Sequence, residues 1–231
     1  EASDPSRAGI ARYAWGDDYH DVIGRRLEGL VAWMRESSPE PFDARTYVDT
    51  GPVQERVYAQ HAGIGWIGKN TCVINPRLGS WIFLGEILCS LPLDPDVPSY
   101  DQCGTCTLCL EACPTHAIVG PGQLDSTRCI SYLTIEHRGE LPEPMTSQIG
   151  SHVYGCDVCQ EVCPWNQLAP VSPDPAWQPR PAWDRPGLDA LDAMSDDEMS
   201  AALAGSAMRR AKPDGLRRNI RAALANAAKA R

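Results

Sequence analysis

The chain has 231 residues, a formal net charge of −9, 43% hydrophobic residues, ten cysteines and only two phenylalanines. That length accommodates one large or two small domains, and the lack of any run of about 18 apolar residues excludes a membrane-spanning helix. The acidic balance argues against a polyanionic partner for the chain as a whole, but residues 205–231 carry Arg209, Arg210, Lys212, Arg217, Arg218, Arg221, Lys229 and Arg231 against Asp214 alone, which is the footprint a nucleic acid can use or a solvated helix face.

In chain order, Trp15-Gly16-Asp17-Asp18 reads as a turn into a helix over 20–36, where Ile23, Leu27, Leu30, Val31 and Met34 recur at helical spacing. Asp18-Tyr19-His20 begins like the DxHxxG signature of enzymes that ligate cobalamin through histidine. The glycine falls one residue late, at Gly24, so His20 is read as a polar residue at the helix start and not as a cobalt ligand. Tyr47-Val48-Asp49-Thr50-Gly51-Pro52-Val53 is an apolar approach ending abruptly at a turn. A carboxyl there can be desolvated, with a pKa raised toward proton delivery. It can equally serve as an Asx-turn or as the N-cap of a helix over 53–60, and position alone favours that use.

The segment from Gly63 to Asn70 matches GxGxxG and comes within one residue of a Walker A loop. Both motifs aim a helix N-terminus at phosphate. Here a short strand and Pro76 follow, and Asn70 stands where Ser or Thr would hold magnesium, so nucleotide binding is not expected. Glycines there still let a flat cofactor approach the backbone closely. The next pattern predicts a hairpin, with strands over 71–75 and 80–88 around a turn at 76–79. Residues 100–170 read as loops and two short helices with little room for an apolar core. Pro170, Pro173, Pro175, Pro179, Pro181 and Pro186 read as a semi-extended linker. Ser195-Asp196-Asp197-Glu198 has the form of a capping box, and Leu216, Ile220, Ala223, Leu224 and Ala227 make the apolar stripe of a last helix flanked by arginines.

The cysteines carry the strongest signal. Cys103-x2-Cys106-x2-Cys109-x3-Cys113-Pro114 is followed by Cys129 and by Cys156-x2-Cys159-x3-Cys163-Pro164. In proteins that wrap two [4Fe–4S] clusters, three closely spaced thiolates hold one cluster and the cysteine before proline crosses to the other. This assigns Cys103, Cys106, Cys109 and Cys163 to one cluster, and Cys113, Cys129, Cys156 and Cys159 to the second. Zinc usually takes two separated CxxC knuckles, and cysteines three apart seldom form disulfides. Cys72 and Cys89 lie in apolar stretches and read as buried, inert thiols. Eight cluster thiolates imply electron transfer in a reducing compartment, hence the cytoplasm.

Taken in order, Arg12-Tyr13-Ala14-Trp15-Gly16-Asp17-Asp18-Tyr19-His20, Asp49-Thr50-Gly51-Pro52-Val53, the segment from Gly63 to Asn70, Gly79-Ser80-Trp81, the cysteine runs and Cys129-Ile130-Ser131-Tyr132-Leu133 resemble the epoxyqueuosine reductases. Gly205-Ser206-Ala207-Met208-Arg209-Arg210 and Leu216-Arg217-Arg218-Asn219 resemble them too. The resemblance implies an α+β protein with three parts. These are a partial cobalamin-binding α/β domain (1–99), a ferredoxin-like bis-[4Fe–4S] module (100–170), and a proline-rich linker with basic C-terminal helices (171–231). Family members carry a sizeable segment before the Arg12 motif, and longer ones carry C-terminal helical repeats that grip tRNA, so this chain is expected to lack both.

The resemblance further implies cobalamin and two [4Fe–4S] clusters, with reduction of epoxyqueuosine at the tRNA wobble position as the activity. Removing an epoxide oxygen as water takes two electrons and two protons, and each cluster passes one electron at a time. A cofactor that collects two is therefore needed between them. The resemblance makes Asp49 the acid, reversing the preference drawn from position alone, and lets Arg56 steer substrate or an oxyanion. It places Arg12, Tyr13, Asp49, Arg56, Lys69, Asn70 and Ser131 around the corrin. Arg209, Arg210, Arg217, Arg218 and Arg221 become tRNA backbone contacts, with a flipped-out base supplying specificity. An external low-potential electron donor and a monomer are expected. A ferredoxin-like electron carrier and a corrinoid dehalogenase are the alternatives.

Overall fold

The computed structural model describes residues 4–229, so Arg231 of the basic tail lies outside it. Strand β1 (Gly9–Ile10) leads through a 3-10 turn at Arg12–Ala14 to helix α1 (Tyr19–Ser37). Asp18 caps α1, its carboxylate accepting the His20 N–H at 3.1 Å. Val22 and Val31 are buried, and Ile23 and Leu27 close over the backbone at Gly85. Leu30 faces solvent, so the buried stripe is narrower than the spacing predicts.

Next come β2 (Ala44–Tyr47), α2 (Glu55–His61), β3 (Trp66–Ile67), β4 (Val73–Ile74) and β5 (Glu86–Cys89). The expected hairpin is replaced by two other pairings. Val73–Ile74 turns back antiparallel on Trp66–Ile67, and β5 pairs antiparallel with β2, Tyr47 facing Glu86. Only an isolated Asn75–Gly79 bridge closes the turn at 76–79. Gly65 permits the tight β3–β4 ribbon, because a Cβ there would sit 2.3 Å from the Ile74 carbonyl oxygen. The glycine-rich motif therefore opens into a ribbon and not a helix, which leaves no helix N-terminus for a phosphate.

The cysteine region supplies α3 (Leu108–Ala112), β6 (Ile118–Gly120), β7 (Gln123–Leu124), α4 (Ile130–Ile135), α5 (Met145–Gln148), β8 (His152–Tyr154) and α6 (Val158–Glu161). It has more helix than the sequence pattern predicts and its own small core of Ile130, Leu133, Leu141 and Ile149. The proline-rich stretch is not an extended linker. It forms two 3-10 turns packed on the N-terminal segment, with Asp17 N–H donating to the Ala176 carbonyl at 2.8 Å and Arg180 N–H to the Trp15 carbonyl at 2.9 Å. Trp183 anchors it, 1% exposed.

Helices α7 (Leu188–Asp192), α8 (Asp196–Leu203) and α9 (Lys212–Lys229) complete the fold. The capping box forms as expected, Ser195 and Glu198 each bonding the other's backbone N–H. Leu216, Ile220, Ala223 and Ala227 of α9 are buried, with Leu224 packed beside them. They join Ala8, Ala14, Val153, Tyr154, Trp183, Leu191 and Met208 in one cluster, so the three stretches of chain share a principal core. β1 runs parallel to β8, tying the N-terminus to the cysteine region. The described strands form four two-stranded sheets, a mixed α+β arrangement. No helix among the described residues is long and apolar enough to cross a membrane.

Candidate functional site

Cys103, Cys106, Cys109 and Cys163 line one small cavity of about 40 Å3, with Ile74, Leu108 and Trp165 among its walls. This is the first predicted ligand set, with the cysteine before Pro164 crossing over from the second run. The loop is held by its own backbone: Asp101 accepts the Cys103 N–H at 2.8 Å, and the Cys103 carbonyl accepts the Cys106 N–H at 3.1 Å. Burial and repulsion from Cys159, Cys103 and Cys106 push the Cys109 thiol up to about 11. Burial, then repulsion from Cys103 and Cys106, raises Cys163.

Members of the second set perturb one another electrostatically. Cys156 is pushed up to about 12 by burial and by Cys159, Asp157 and Cys129, and Cys159 also feels Cys113. At Cys113 burial works upward but loses to N–H donors, among them Ala117 N–H at 3.3 Å from the sulfur, so this thiol is lowered. Among the described residues no three His, Cys, Asp or Glu side chains converge as a single ion requires. Four thiols lining one cavity can each ligate one iron of a [4Fe–4S] cubane. Cys72, read as inert, is an electrostatic neighbour of Cys159, which holds the Cys72 thiol below its ordinary range while Cys159 is raised. Cys89 lies half-buried in β5.

Asp49 occupies the left-handed region at φ 57°, with Thr50 N–H closing back on the Val48 carbonyl at 2.6 Å. Such a three-residue turn is strained for a residue with a Cβ, and that strain collects at working sites. The helix cap is Gln54, so Asp49 caps nothing. Tyr19 donates its hydroxyl to Asp49 Oδ2 at 2.7 Å, and His20 Nε2 lies 3.5 Å from the same oxygen. The other His20 ring nitrogen is 2.7 Å from Asp18, a carboxylate only 2% exposed that also faces Arg209 Nε at 3.3 Å. Burial and the bond to Asp49 hold the Tyr19 phenol well above its ordinary range, keeping it a donor. The desolvation expected at Asp49 is absent, because its loop projects and its side chain is 59% exposed.

A continuous segment joins these two centres. Arg12 N–H donates to Asp157 Oδ2 at 2.7 Å, between Cys156 and Cys159, and the Arg12 guanidinium lies 4.4 Å over Trp81. Tyr13 then meets Tyr154 and, edge-on at 5.8 Å, Tyr19. Tyr19 stacks on Phe83 at 4.9 Å, and Phe83 packs on Trp177.

Residues 102–166 match the family described as a 4Fe-4S double cluster binding domain, and residues 1–50 match Epoxyqueuosine reductase QueG, DUF1730. A Synechocystis epoxyqueuosine reductase is 46% identical over 225 residues, covering 96% of this chain and 78% of that protein. One from Gloeobacter violaceus is 48% identical, covering 95% and 70%. The chain belongs to the epoxyqueuosine reductase family. A solved epoxyqueuosine reductase bound to an epoxyqueuosine-modified tRNA-Tyr stem loop superposes with a TM-score of 0.91 at 38% identity, over 97% of this chain and 60% of that one. The Bacillus subtilis enzyme, solved with its catalytic loop swung out of the active site, gives 0.88 at the same identity and coverage. The chain thus spans about three-fifths of the solved relatives.

Most of the remaining residues that the family resemblance singled out are committed to partners within the chain. Arg56, in the first turn of α2, donates to the Thr71 carbonyl at 2.8 Å and anchors the β3–β4 turn. Lys69 and Asn70, in that turn, face the cysteine loops: Lys69 Nζ lies 2.6 Å from the Gly104 carbonyl and 2.9 Å from that of Cys106, and Asn70 donates to the Cys159 carbonyl. Ser131 sits in α4 just after Cys129. Arg218 turns inward. It is half-buried and donates to the carbonyls of Leu133, His137 and Gly139. Arg217 is likewise spent on the Met194 carbonyl and Asp196. Arg210 forks onto Glu136, while Arg221 is exposed with no partner among the described residues. Sequence reasoning missed Tyr19 and His20 as partners of Asp49 and missed Trp66, whose indole meets Cys103. The first two lay inside a motif weighed only for cobalt ligation, and Trp66 inside one weighed only for phosphate.

Proposed function

We propose that this chain reduces epoxyqueuosine to queuosine in tRNA, with Asp49 as proton donor and the eight cysteines Cys103, Cys106, Cys109, Cys113, Cys129, Cys156, Cys159 and Cys163 as ligands of two [4Fe–4S] clusters. The observation that carries it is the juxtaposition of a strained, exposed carboxylate with a cysteine module through one short segment, Arg12 to His20. The substrate named for the solved relative bound to a modified stem loop fits this chemistry.

Cobalamin would border the segment from Arg12 to Tyr19, which runs from Asp157, beside the second cysteine set, to Asp49. When bound, the clusters supply electrons singly and cobalamin supplies a two-electron nucleophile for carbon. Tyr19 keeps Asp49 oriented by donating to one oxygen, which leaves the other free to deliver a proton to the opening epoxide oxygen. His20, braced by buried Asp18 and 3.5 Å from Asp49, stands behind as the group proposed to return a proton to it. Arg12, Tyr13, Lys69, Asn70 and Ser131 are proposed to border the cofactor, Lys69 and Asn70 from the cluster side. Arg209, Arg210 and Arg221 are the arginines proposed to meet tRNA phosphates, and an external low-potential donor is proposed to supply electrons. The boundaries 1–99, 100–170 and 171–231 describe these parts as functional units.

The test is anaerobic reconstitution with iron, sulfide and cobalamin, followed by incubation with epoxyqueuosine-containing tRNA and nucleoside mass analysis. Queuosine should form, and Asp49→Asn should abolish it while both cofactors stay bound. Turnover by Asp49→Asn at the parental rate would remove Asp49 from its role.

A further inference from the structure

Resting on the double-cluster reading, we propose that Trp66 and Lys69 set the reduction potential of the cluster held by Cys103, Cys106, Cys109 and Cys163, raising it above what its apolar walls alone would give. Reduction adds one electron and no proton, so an already anionic cluster becomes more negative by one charge. Apolar walls such as Ile74, Leu108 and Trp165 oppose that step, because they solvate the added charge poorly. Hydrogen bonds to ligand sulfur and nearby positive charge favour it.

Trp66 supplies the first of these. Its side chain is 1% exposed, fixed edge-on to Trp165 at 4.9 Å, and its indole N–H donates to the Cys103 sulfur at 3.4 Å. Lys69 supplies the second. Its ammonium lines the same cavity and bonds both the Gly104 and Cys106 carbonyls, pinning the loop between two ligands while placing a cation beside the cluster. The two residues stand three apart across the start of the β3–β4 turn, so the glycine-rich motif acts here as a bracket for a cluster. The second cysteine set has its own donor in the Ala117 N–H to Cys113, which changes at positions 66 and 69 leave in place.

The experiment is a dithionite titration of the intact, anaerobically reconstituted protein followed by electron paramagnetic resonance, with the first cluster's signal assigned by Cys103→Ser. Trp66→Phe keeps the ring and deletes the N–H. It should make reduction of the first cluster about tenfold less favourable, a midpoint about 59 mV lower for one electron, with the second cluster unmoved. Lys69→Met should shift the same midpoint downward and Lys69→Arg should restore it. Added salt should shrink the Lys69 effect, which is partly exposed, and spare that of buried Trp66. Unmoved midpoints in variants holding about eight irons per chain would overturn the proposal, as would equal displacement of both clusters. A parent protein that takes up zinc and no sulfide would instead defeat the double-cluster reading beneath it.

Discussion

Asn219 is the polar residue on which the fold depends most visibly. It lies on α9 with no solvent exposure, and its amide donates to the Thr134 carbonyl at 2.7 Å and the Val153 carbonyl at 2.8 Å. Its oxygen accepts from the Arg218 guanidinium at 2.8 Å and 3.1 Å. One side chain thus joins α9 to α4 and β8, and it orients the arginine that closes three further carbonyls. Asn219→Leu keeps the branching and the number of heavy atoms but removes both donors. Each buried acceptor left unpaired costs about 1–3 kcal/mol. Leucine's apolar burial returns part of this, so the net loss is about 2–5 kcal/mol, a large share of the 5–15 kcal/mol typical of whole domains (roughly). In urea, at a slope of about 1–3 kcal/mol/M, the anaerobic cluster-loaded protein should lose on the order of 1–2 M in midpoint at unchanged slope. Asn219→Asp should fare no better, because it keeps the arginine's acceptor but turns a carboxylate oxygen toward two carbonyls. A midpoint within about 0.3 M of the parent for Asn219→Leu would refute the reasoning.

Further outcomes follow from single observations. Because Asp49 sits at positive φ, Asp49→Gly should be more stable than Asp49→Ala by about 1 kcal/mol in thermal unfolding, while both lose turnover. Burial first, then the neighbouring Glu55 and Asp49, lifts Glu86 from 4.5 to about 7. The folded protein therefore holds a proton that the unfolded chain has released, and stability should fall as pH rises from 4.5 through 7. Glu86→Gln should flatten that decline, measured as urea midpoints across the window. Arg221→Ala should weaken tRNA binding and reduce the salt slope by about 1. Arg218→Ala should chiefly lower the unfolding midpoint, because its guanidinium is committed to carbonyls.

The parts of the molecule that were legible in the sequence were those with local causes. Cysteine spacing foretold which thiols share a cavity, because a tight loop can reach only part of one cluster. The capping box at Ser195 and the stripe on α9 likewise depend on residues three and four apart. What failed depended on distant chain. Strands at 73–74 and 86–89 were seen but paired wrongly, since their true partners are chosen by Gly65 and by α1 packing over β2 and β5. The prolines read as a linker because composition does not reveal that Gly16 leaves room for the Ala176 carbonyl. The inward commitments of Arg217 and Arg218 were not legible, because charge counts carry no information about which cations are already paired.

Those inward commitments bear on how the site works. An arginine turned inward onto α4 holds the helix that begins just after Cys129, while Asn219 beside it holds β8, whose Tyr154 touches Tyr13. β8 is paired in turn with β1, which leads directly to Arg12 and its bond to Asp157. The second cysteine set, the aromatic segment and the Asp49 partners therefore hang on one frame whose far side is α9. Electron delivery and proton delivery to one substrate need fixed separations, and a shared core supplies them where two domains joined by a flexible linker would not. By this logic the basic helix contributes to chemistry through its buried face whatever its exposed face binds. A change at Asn219 should then disturb the Cys129 cluster's spectrum before it alters tRNA affinity.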